Sequence, residues 1–295
     1  ITAWRTTPGH HARGAFNPRE IETIRREVLP SLPCEQTEIG IISPYNEQVN
    51  ALHRELGGGI DVATVHKFQG REKEAIILST VDDQITAFTD DPNLLNVAVS
   101  RAKRQFTLVT SSNEQPDSRN IADLLAYIDY NGGKITESAI HSVFDLLYEP
   151  YAEARREFLK RHRRISEFDS ENLTYALLEQ VLEADPAFRH LGVLCHQPLR
   201  QLIHDWTLLD DEERRYASNG ATHLDFLIYN RVSKRPVLAV ETDGYQFHKQ
   251  GTRQSERDRM KDRILDRYGL PLLRLSTTGT DEETKIKDQL SKIVE

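Results

Sequence analysis

Hydrophobic and polar positions divide the first 130 residues into alternating buried strands and amphipathic helices. The strands are short, continuously apolar runs, which is typical of strands buried on both faces of a sheet. The helices carry apolar residues three and four positions apart and are bounded by Asn, Pro or Gly. This pattern predicts strands over residues 38–45, 61–65, 75–81 and 106–110, and helices over residues 17–29, 46–56, 93–103 and 121–130. Alternating strands and helices predict a parallel sheet covered on both faces.

The pattern changes after residue 130, where strands follow one another more directly. It predicts helices over residues 134–148, 173–183, 253–268 and 281–294, a charged loop over 210–219, and strands over 193–197, 199–203, 223–230, 236–243 and 270–276. These elements predict a mixed sheet flanked by helices. The fold class is therefore α/β in both halves of the chain.

Length and composition favour two domains without a membrane anchor. The chain has 295 residues and begins with Ile1 rather than Met, so we expect a fragment of a longer protein. We predict a first domain over residues 1–130, a helical basic connector over 131–170 and a second domain over 171–295. Apolar runs are too short to span a bilayer, no signal peptide is present, and Cys34 and Cys195 lack metal-type spacing. A cytoplasmic protein with reduced thiols and no membrane partner is expected.

The net charge of −8 argues against a globally basic nucleic-acid-binding surface. Local basic patches would have to supply such binding. The run YAEARREFLKRHRR (residues 151–164) has more arginines and lysines than glutamates. It is either a solvated helix face or a basic spacer that guides a nucleic-acid strand between the two domains.

Three acidic residues stand at the ends of two predicted strands, His223–Asn230 and the strand that begins at Pro236. Asp225 lies in the first strand, and Glu241 and Asp243 end the second. Side chains two apart on a strand share a face. Carboxylates at the end of a buried strand need compensation, and Mg²⁺ (or Mn²⁺) favours one or two carboxylates together with water and phosphate oxygens. We predict a metal site in which Asp225 and Glu241 are ligands and Asp243 either binds a second metal ion or lies behind the ligands.

Three blocks in the first half resemble the second RecA-like domain of superfamily 1 helicases of the Upf1-like group. They are IGIISPYNEQ (39–48), VATVHKFQGREKEAIILSTV (62–81) and LLNVAVSRAKRQFTLVTS (94–111). The resemblance implies ATP contacts from Gly70, Glu72 and Arg101, since a glycine lets the backbone approach phosphates and arginine forms a planar fork. It also implies nucleic-acid contacts from Ser43, Tyr45, Thr64 and His66. For Tyr45 a packing role, and for His66 a loop-capping role, stays open.

No GxxxxGK[ST] phosphate loop occurs in the chain. The first RecA-like lobe is therefore expected upstream, as a partner within the same protein. ATP is expected to be a cofactor of the full-length protein and not to bind this fragment tightly.

The stretch from His223 to His248, continued by RDRMKDRILDRYGLPLLRL (257–275), resembles the very-short-patch-repair-like branch of the PD-(D/E)XK nucleases. That fold is restriction-endonuclease-like, an α/β/α arrangement with a mixed sheet. The resemblance implies a site with Asp225, Glu241 and Asp243, and with Glu179 from the first helix. His248 is either a general acid/base or a structural hydrogen-bonding residue. Asp243 stands where the family has a lysine, so either Lys261 supplies the cation or the site is inactive.

Together these features predict the C-terminal part of a helicase–nuclease that hydrolyses DNA phosphodiester bonds with Mg²⁺. Single-stranded or forked DNA is the expected partner. Two alternatives remain open: an inactive nuclease fold that only binds DNA, and a helicase that acts on RNA.

Overall fold

The computed structural model of the chain describes residues 1–115, 117–244 and 253–294, with the backbone alone for residues 253–255 and 294. The chain divides into two compact units, Ile1–His141 and Ser142–Glu295. Each unit has its own sheet and its own hydrophobic clusters. The α/β class predicted for both halves is confirmed.

The first unit contains a six-stranded sheet in which every neighbouring pair of strands is parallel, in the order β3-β2-β4-β5-β1-β6. Its strands are β1 (Thr2–Thr6), β2 (Ile39–Ser43), β3 (Asp61–Thr64), β4 (Lys73–Ser79), β5 (Ala102–Ser111) and β6 (Ile135–Glu137). The pattern predicted four of these strands, β2 to β5. It did not predict β1 and β6, which are short and partly polar.

Helices cover both faces of this sheet. They are α1 (Pro18–Thr23), which continues through a π-helical stretch (Ile24–Val28) into α2 (Leu29–Ser31), then α3 (Asn46–Leu56), α4 (Val65–Phe68), α5 (Pro92–Ser100) and α6 (Asn120–Tyr130). Alternate residues of β4 enter opposite cores: Ile76 and Leu78 pack in one, Ala75 and Ile77 in the other. The helix predicted over 134–148 is wrong, because residues 135–137 extend the sheet and Val143–Leu147 forms a 3₁₀ turn.

The second unit contains a four-stranded mixed sheet in the order β10-β9-β8-β7. Its strands are β7 (Leu191–Pro198), β8 (His223–Asn230), β9 (Pro236–Asp243) and β10 (Leu272–Ser276). The first three form antiparallel pairs, and β10 runs parallel to β9. The predicted mixed sheet is confirmed, although residues 199–201 form a 3₁₀ turn rather than a strand.

The helices of the second unit are α7 (Ala152–Lys160), α8 (Asp169–Ala184), α9 (Asp211–Ser218), α10 (Arg253–Arg267) and α11 (Glu282–Val294). Helices α8 and α11 share a core with one face of the sheet, and α9 and α10 share a core with the other. Helix α9 forms where a loop was predicted. Its N-cap Asp210 and the buried Glu213 exchange hydrogen bonds in a capping box.

Candidate functional site

A cleft of about 510 Å³ opens in the second unit where β9 ends and β8 begins. Helix α8 contributes its N-terminal turn, and α10 contributes one side. The lining includes five acidic side chains: Glu171, Asp225, Glu241, Asp243 and Asp258. Among the described residues, the basic or imidazole groups that line it are Lys261, Arg257 and His223. The cleft is therefore predominantly acidic, with a few basic groups close at hand.

Strand alternation brings the predicted carboxylates to one face of the sheet. Val240 packs with α8, so Glu241 and Asp243 face the side on which α10 lies. Asp225 and Glu241 lie on adjacent antiparallel strands and cross-connect them. The backbone N–H of Asp225 donates to Glu241 Oε1 at 3.2 Å, and that of Thr242 donates to Asp225 Oδ2 at 2.9 Å. These bonds fix both carboxylates against the strand backbone.

Lys261 reaches this pair from helix α10. Its Nζ lies 2.6 Å from Glu241 Oε2 and 3.0 Å from the carbonyl oxygen of His223. Both side chains are buried, with 10% of Lys261 and 7% of Glu241 exposed. The structure therefore brings Asp225, Glu241 and Lys261 together from two strands and a helix, as the spacing along α10 suggested.

Burial perturbs both carboxylates. Desolvation raises the pKa of Glu241 to about 7; Lys261 opposes this shift and the neighbouring Asp225 adds to it. Desolvation also raises the pKa of Asp225, against the hydrogen bond from Thr242 and the charge of Lys261. Two carboxyl groups that share a buried site resist simultaneous ionisation. Additional positive charge at this place would favour the ionised form of both.

Asp243 occupies a different electrostatic position. The Arg274 guanidinium from β10 donates to its two carboxylate oxygens at 3.1 and 3.3 Å, and also to Asp262 on α10 at 2.7 Å. Asp243 lines the cleft, but it pairs with an arginine on the neighbouring strand, which it shares with Asp258 and Asp262. The predicted role of Asp243, either a ligand of a second metal ion or a group behind the ligands, stays a prediction; at this residue a metal would compete with the Arg274 ion pair.

The acidic residue that α8 contributes is Glu171, not the predicted Glu179. Glu171 stands in the first turn of α8 and lines the cleft, and its charge helps to raise the pKa of Asp225, after desolvation. Glu179 lies two turns further along, where it accepts a hydrogen bond from Tyr175 at 2.6 Å and lines a separate cleft. Predicted site residue His248 lies outside the described residues.

The residues fit a divalent cation held by two carboxylates better than one held by three. Across the described ranges, no three His, Cys, Asp or Glu side chains are grouped so as to hold a metal ion. The half-buried Asp225 and the buried Glu241 supply two carboxylates with raised pKa values, a donor set that Mg²⁺ completes with water and phosphate oxygens. Either residue can serve as a ligand, but a metal would compete with Lys261 for Glu241 just as it would compete with Arg274 for Asp243.

In the first unit, the residues predicted to contact ATP lie at the edge where β4 and β5 begin. The backbone N–H of Lys73 donates to the carbonyl oxygen of Arg101 at 3.0 Å, which places Glu72 and Arg101 beside each other. Gly70 has a positive φ of 81° in the turn before β4, a conformation that favours glycine. A Cβ there would meet open space. The Arg101 guanidinium donates hydrogen bonds to the hydroxyl of the neighbouring Ser100.

The residues predicted to contact nucleic acid lie at the opposite edge, where β2 and β3 end. Ser43 is fully buried and Thr64 nearly so, which leaves Tyr45 and the exposed His66 to present side-chain surface. The Tyr45 hydroxyl donates to Asp82 at 2.9 Å, and its ring lies 5.4 Å from that of Phe88. Tyr45 therefore has a packing role in this structure, whether or not it also contacts nucleic acid.

A buried carboxyl group, that of Glu20, binds the end of β4 at this edge of the sheet. Glu20 is fully buried and accepts hydrogen bonds from the Ser79 hydroxyl and the Val81 backbone N–H. Desolvation raises its pKa to about 8. Val81 has a φ of 74°, which is rare for a β-branched residue, and it immediately precedes Asp82. Sequence reasoning missed Glu20, whose only signal was an acidic residue in the first turn of a helix.

Two family models match the chain, one in each unit. Residues 5–113 match an AAA domain family. Residues 168–293 match DUF2726, a family of proteins of unknown function. The second match covers the whole cleft and ends within α11, and its description carries no activity.

Several curated relatives are similar to a part of this chain. An uncharacterized ATP-dependent helicase of Methanocaldococcus jannaschii is 39% identical over 101 residues, which are 33% of this chain and 15% of the relative. DNA polymerase alpha-associated DNA helicase A of Saccharomyces cerevisiae is 39% identical over 104 residues, 32% of this chain and 15% of the relative. DNA-binding protein SMUBP-2 of Rattus norvegicus is 29% identical over 143 residues, 46% of this chain and 14% of the relative.

The chain thus spans about one seventh of the length of these relatives. Together with the AAA match, they support the resemblance of the first unit to a superfamily 1 helicase domain. Among solved structures, the C-terminal domain of a possible DNA helicase from a Lactobacillus is 16% identical, with a TM-score of 0.33 over 46% of this chain and 84% of that one. No helix within the described ranges has the length and apolarity needed to cross a membrane.

Proposed function

We propose that the second unit is a metal-dependent nuclease and that the chain is the C-terminal part of a helicase–nuclease. The observation that carries this proposal is the meeting of Asp225, Glu241 and Lys261 in one cleft. A buried carboxylate, a half-buried carboxylate and a lysine are brought there by two strands and a helix. The α/β/α arrangement and the mixed sheet agree with the nuclease resemblance, and Lys261 fills the charge role that Asp243 cannot.

Phosphodiester hydrolysis needs an activated water, a polarised phosphoryl group and a stabilised leaving oxygen. A bound Mg²⁺ supplies Lewis acidity for these steps. Asp225 and Glu241 would hold the ion with their carboxylate oxygens. Lys261 Nζ is fixed by Glu241 and the His223 carbonyl, so its third N–H can be offered to a phosphoryl oxygen of the substrate. Arg257, exposed at the rim of the cleft, adds positive charge for the nucleic-acid backbone.

The first unit is proposed to act as the second lobe of an ATP-driven motor. Glu72 and Arg101 lie beside each other at one edge of the parallel sheet, and Tyr45 and His66 lie at the other. This separation suits a lobe that contacts the γ-phosphate at one edge and nucleic acid at the other. The lobe that carries the phosphate loop would be supplied elsewhere in the full protein. The names of the relatives favour DNA as the substrate.

Cleavage assays with paired variants test the nuclease proposal. Asp225→Asn and Glu241→Gln should each reduce Mg²⁺-dependent cleavage of single-stranded and forked DNA by at least about a hundredfold, because each removes one charge from the proposed cation site. Glu179→Gln is the matched control, since it makes the same chemical change on α8 outside the cleft. Cleavage that survives both cleft substitutions, or that resists EDTA, would contradict the proposal.

A nucleic-acid-binding module without cleavage is the second candidate. The ion pairs Lys261–Glu241 and Arg274–Asp243 favour it, because they balance two of the cleft's carboxylates without a metal. This candidate predicts that the wild-type chain binds DNA equally well with Mg²⁺ or EDTA and never cuts it. An RNA-directed motor remains a variant of either candidate, and competition between RNA and DNA strands of equal sequence separates the two substrates.

A further inference from the structure

His196 in β7 has a backbone conformation that the strand itself does not require. Its φ is 50°, in the left-handed region that non-glycine residues rarely occupy. Residues on either side, Cys195 and Gln197, pair with Phe226 and Leu224 in one continuous register. No extra residue is inserted there, so a β-bulge does not explain the unusual φ. Strained backbone that persists in an otherwise regular strand often serves a functional site.

The unusual backbone directs the imidazole to helix α8. Cys195 packs against the core that contains α8, so simple alternation would turn His196 toward the opposite face of the sheet. Instead, His196 Nε2 lies 2.9 Å from Glu171 Oε2. Glu171 is the acidic residue that α8 contributes to the cleft. His196 does not line the cleft itself, so it acts on the site through Glu171.

A second histidine connects this pair to the lysine. The ring of His223 meets that of His196 edge-on, with centroids 5.5 Å apart. The carbonyl oxygen of His223 accepts a hydrogen bond from Lys261, which in turn binds Glu241. A continuous set of contacts therefore runs from Glu171 through the two histidines to Glu241. The pairs Cys195–Phe226 and Gln197–Leu224 on either side place Asp225 opposite His196.

We propose that His196 is a positioning residue that holds the Glu171 carboxylate toward Asp225. Without a partner, Glu171 would be repelled by the neighbouring carboxylates and would turn toward solvent. With it, a third acidic group is held close to the proposed cation site, where it can bind a water molecule of the ion. This inference rests on the proposed metal-dependent function. Side chains that orient the groups around a metal commonly change its affinity by about 10- to 100-fold when removed.

The test measures Mn²⁺ binding to the full 295-residue chain by the EPR signal of the free ion, together with thermal unfolding. His196→Ala should weaken Mn²⁺ binding by about tenfold or more. His196→Gly should weaken it equally while keeping or raising the unfolding temperature, because glycine accepts the positive φ. His196→Gln, whose Nε2 amide can reach the Glu171 carboxylate, should restore most of the affinity. His204→Gln, an exposed histidine of the same unit outside the cleft, is the control.

Three outcomes would contradict the positioning role or the proposed function. Mn²⁺ binding that depends on Asp225 but is unchanged in both His196→Ala and His196→Gly overturns the positioning role and leaves the proposed function standing. Weakened binding in all three His196 variants without rescue by glutamine also overturns it, since the hydrogen bond to Glu171 is then not what matters. In the third outcome, the wild-type chain binds no Mn²⁺, or binds Mn²⁺ equally well after Asp225→Asn. In either case the proposed function fails, and the inference fails with it.

Discussion

Replacement of Glu241 by glutamine should reduce the pH dependence of stability in the second unit, to which Glu282, whose pKa is also raised by burial, contributes as well. In the folded chain, burial raises the pKa of Glu241 to about 7, whereas the ordinary value is 4.5. Between these values the folded state retains a proton that the unfolded state has lost. The folded state therefore binds more protons in this interval, and stability falls as the pH rises through it. Glutamine cannot ionise and contributes no such fall.

The size of the effect follows from the pKa difference. Each pKa unit corresponds to about 1.4 kcal/mol, so the free energy of unfolding should fall by about 3 kcal/mol as the pH rises from below 5 to 8. Asp225 titrates with Glu241 as a pair, and its pKa is raised in the same direction, mainly by burial. In the Glu241→Gln variant, Asp225 leaves a smaller dependence of stability on pH, because the substitution also removes the Glu241 charge that repels the Asp225 carboxylate.

The assay uses urea unfolding of the second unit, followed by tryptophan fluorescence in EDTA. The chain has two tryptophans, Trp4 in the first unit and Trp206 in the second. Trp4→Phe therefore leaves Trp206 as the only indole and makes the signal specific for the second unit. Free energies of unfolding at several pH values between 5 and 8 are compared for this background with and without Glu241→Gln.

A matched control separates burial from acidity alone. Glu179→Gln removes a carboxylate that belongs to the same unit but lies outside the cleft. The pH dependence of the free energy of unfolding should persist in this variant. If the background and the Glu241→Gln variant lose stability equally between pH 5 and 8, the buried pair is not what titrates, and the electrostatic account of the cleft is wrong.

Three further predictions concern other parts of the chain. Asp90→Ala should destabilise the first unit by about 1–2 kcal/mol in urea unfolding, since this side chain caps α6. Burial acts to raise the pKa of Asp90, but those hydrogen bonds outweigh burial and lower it. The stability difference between wild type and Asp90→Ala should therefore vanish at acid pH, where Asp90 is protonated. Arg101→Ala should reduce ATP hydrolysis by the full-length protein about a thousandfold with unchanged unfolding, measured by phosphate release. Arg155→Ala should destabilise the second unit by about 1–2 kcal/mol, because Arg155 binds two carbonyl oxygens and Asp169. Arg161→Ala should leave stability unchanged. If the basic run guides a nucleic-acid strand, Arg161→Ala should also lower the salt dependence of DNA binding.

The parts of the fold that the sequence predicts are those with a strong hydrophobic pattern. The strands that contain Ile76 and Val240 are nearly continuous apolar runs, and the structure places them inside their sheets. Strands β1 and β6 escaped prediction because each is short and partly polar, and only their parallel pairing with the sheet orders them. Helix α9 escaped because its composition is charged, although Asp210 followed three residues later by Glu213 is a capping signal.

The cleft was predictable where its residues follow a local period and unpredictable where they do not. Glu241 and Asp243 share a face by strand alternation, and Lys261 follows from helical spacing along α10. Glu171 was missed because the apolar pattern of α8 begins at Leu173, two residues after the acidic turn that reaches the cleft. His196 gave no signal, because its role depends on a backbone angle that no sequence pattern encodes.

The cleft has its lysine on helix α10 and an aspartate at the position of β9 where the nuclease resemblance would have a lysine. Asp243 occupies the place two residues after Glu241 where the nuclease resemblance would have a cation, and an acidic residue there adds charge to an already acidic cleft. Arg274, on the neighbouring parallel strand, offsets that charge. Lys261 then supplies the ammonium group at Glu241 from the helix that packs on this face. If this account is right, Asp243→Lys should lower the pKa of Glu241 and partly rescue cleavage by Lys261→Met. A double variant no more active than Lys261→Met alone would show that the two positions are not interchangeable.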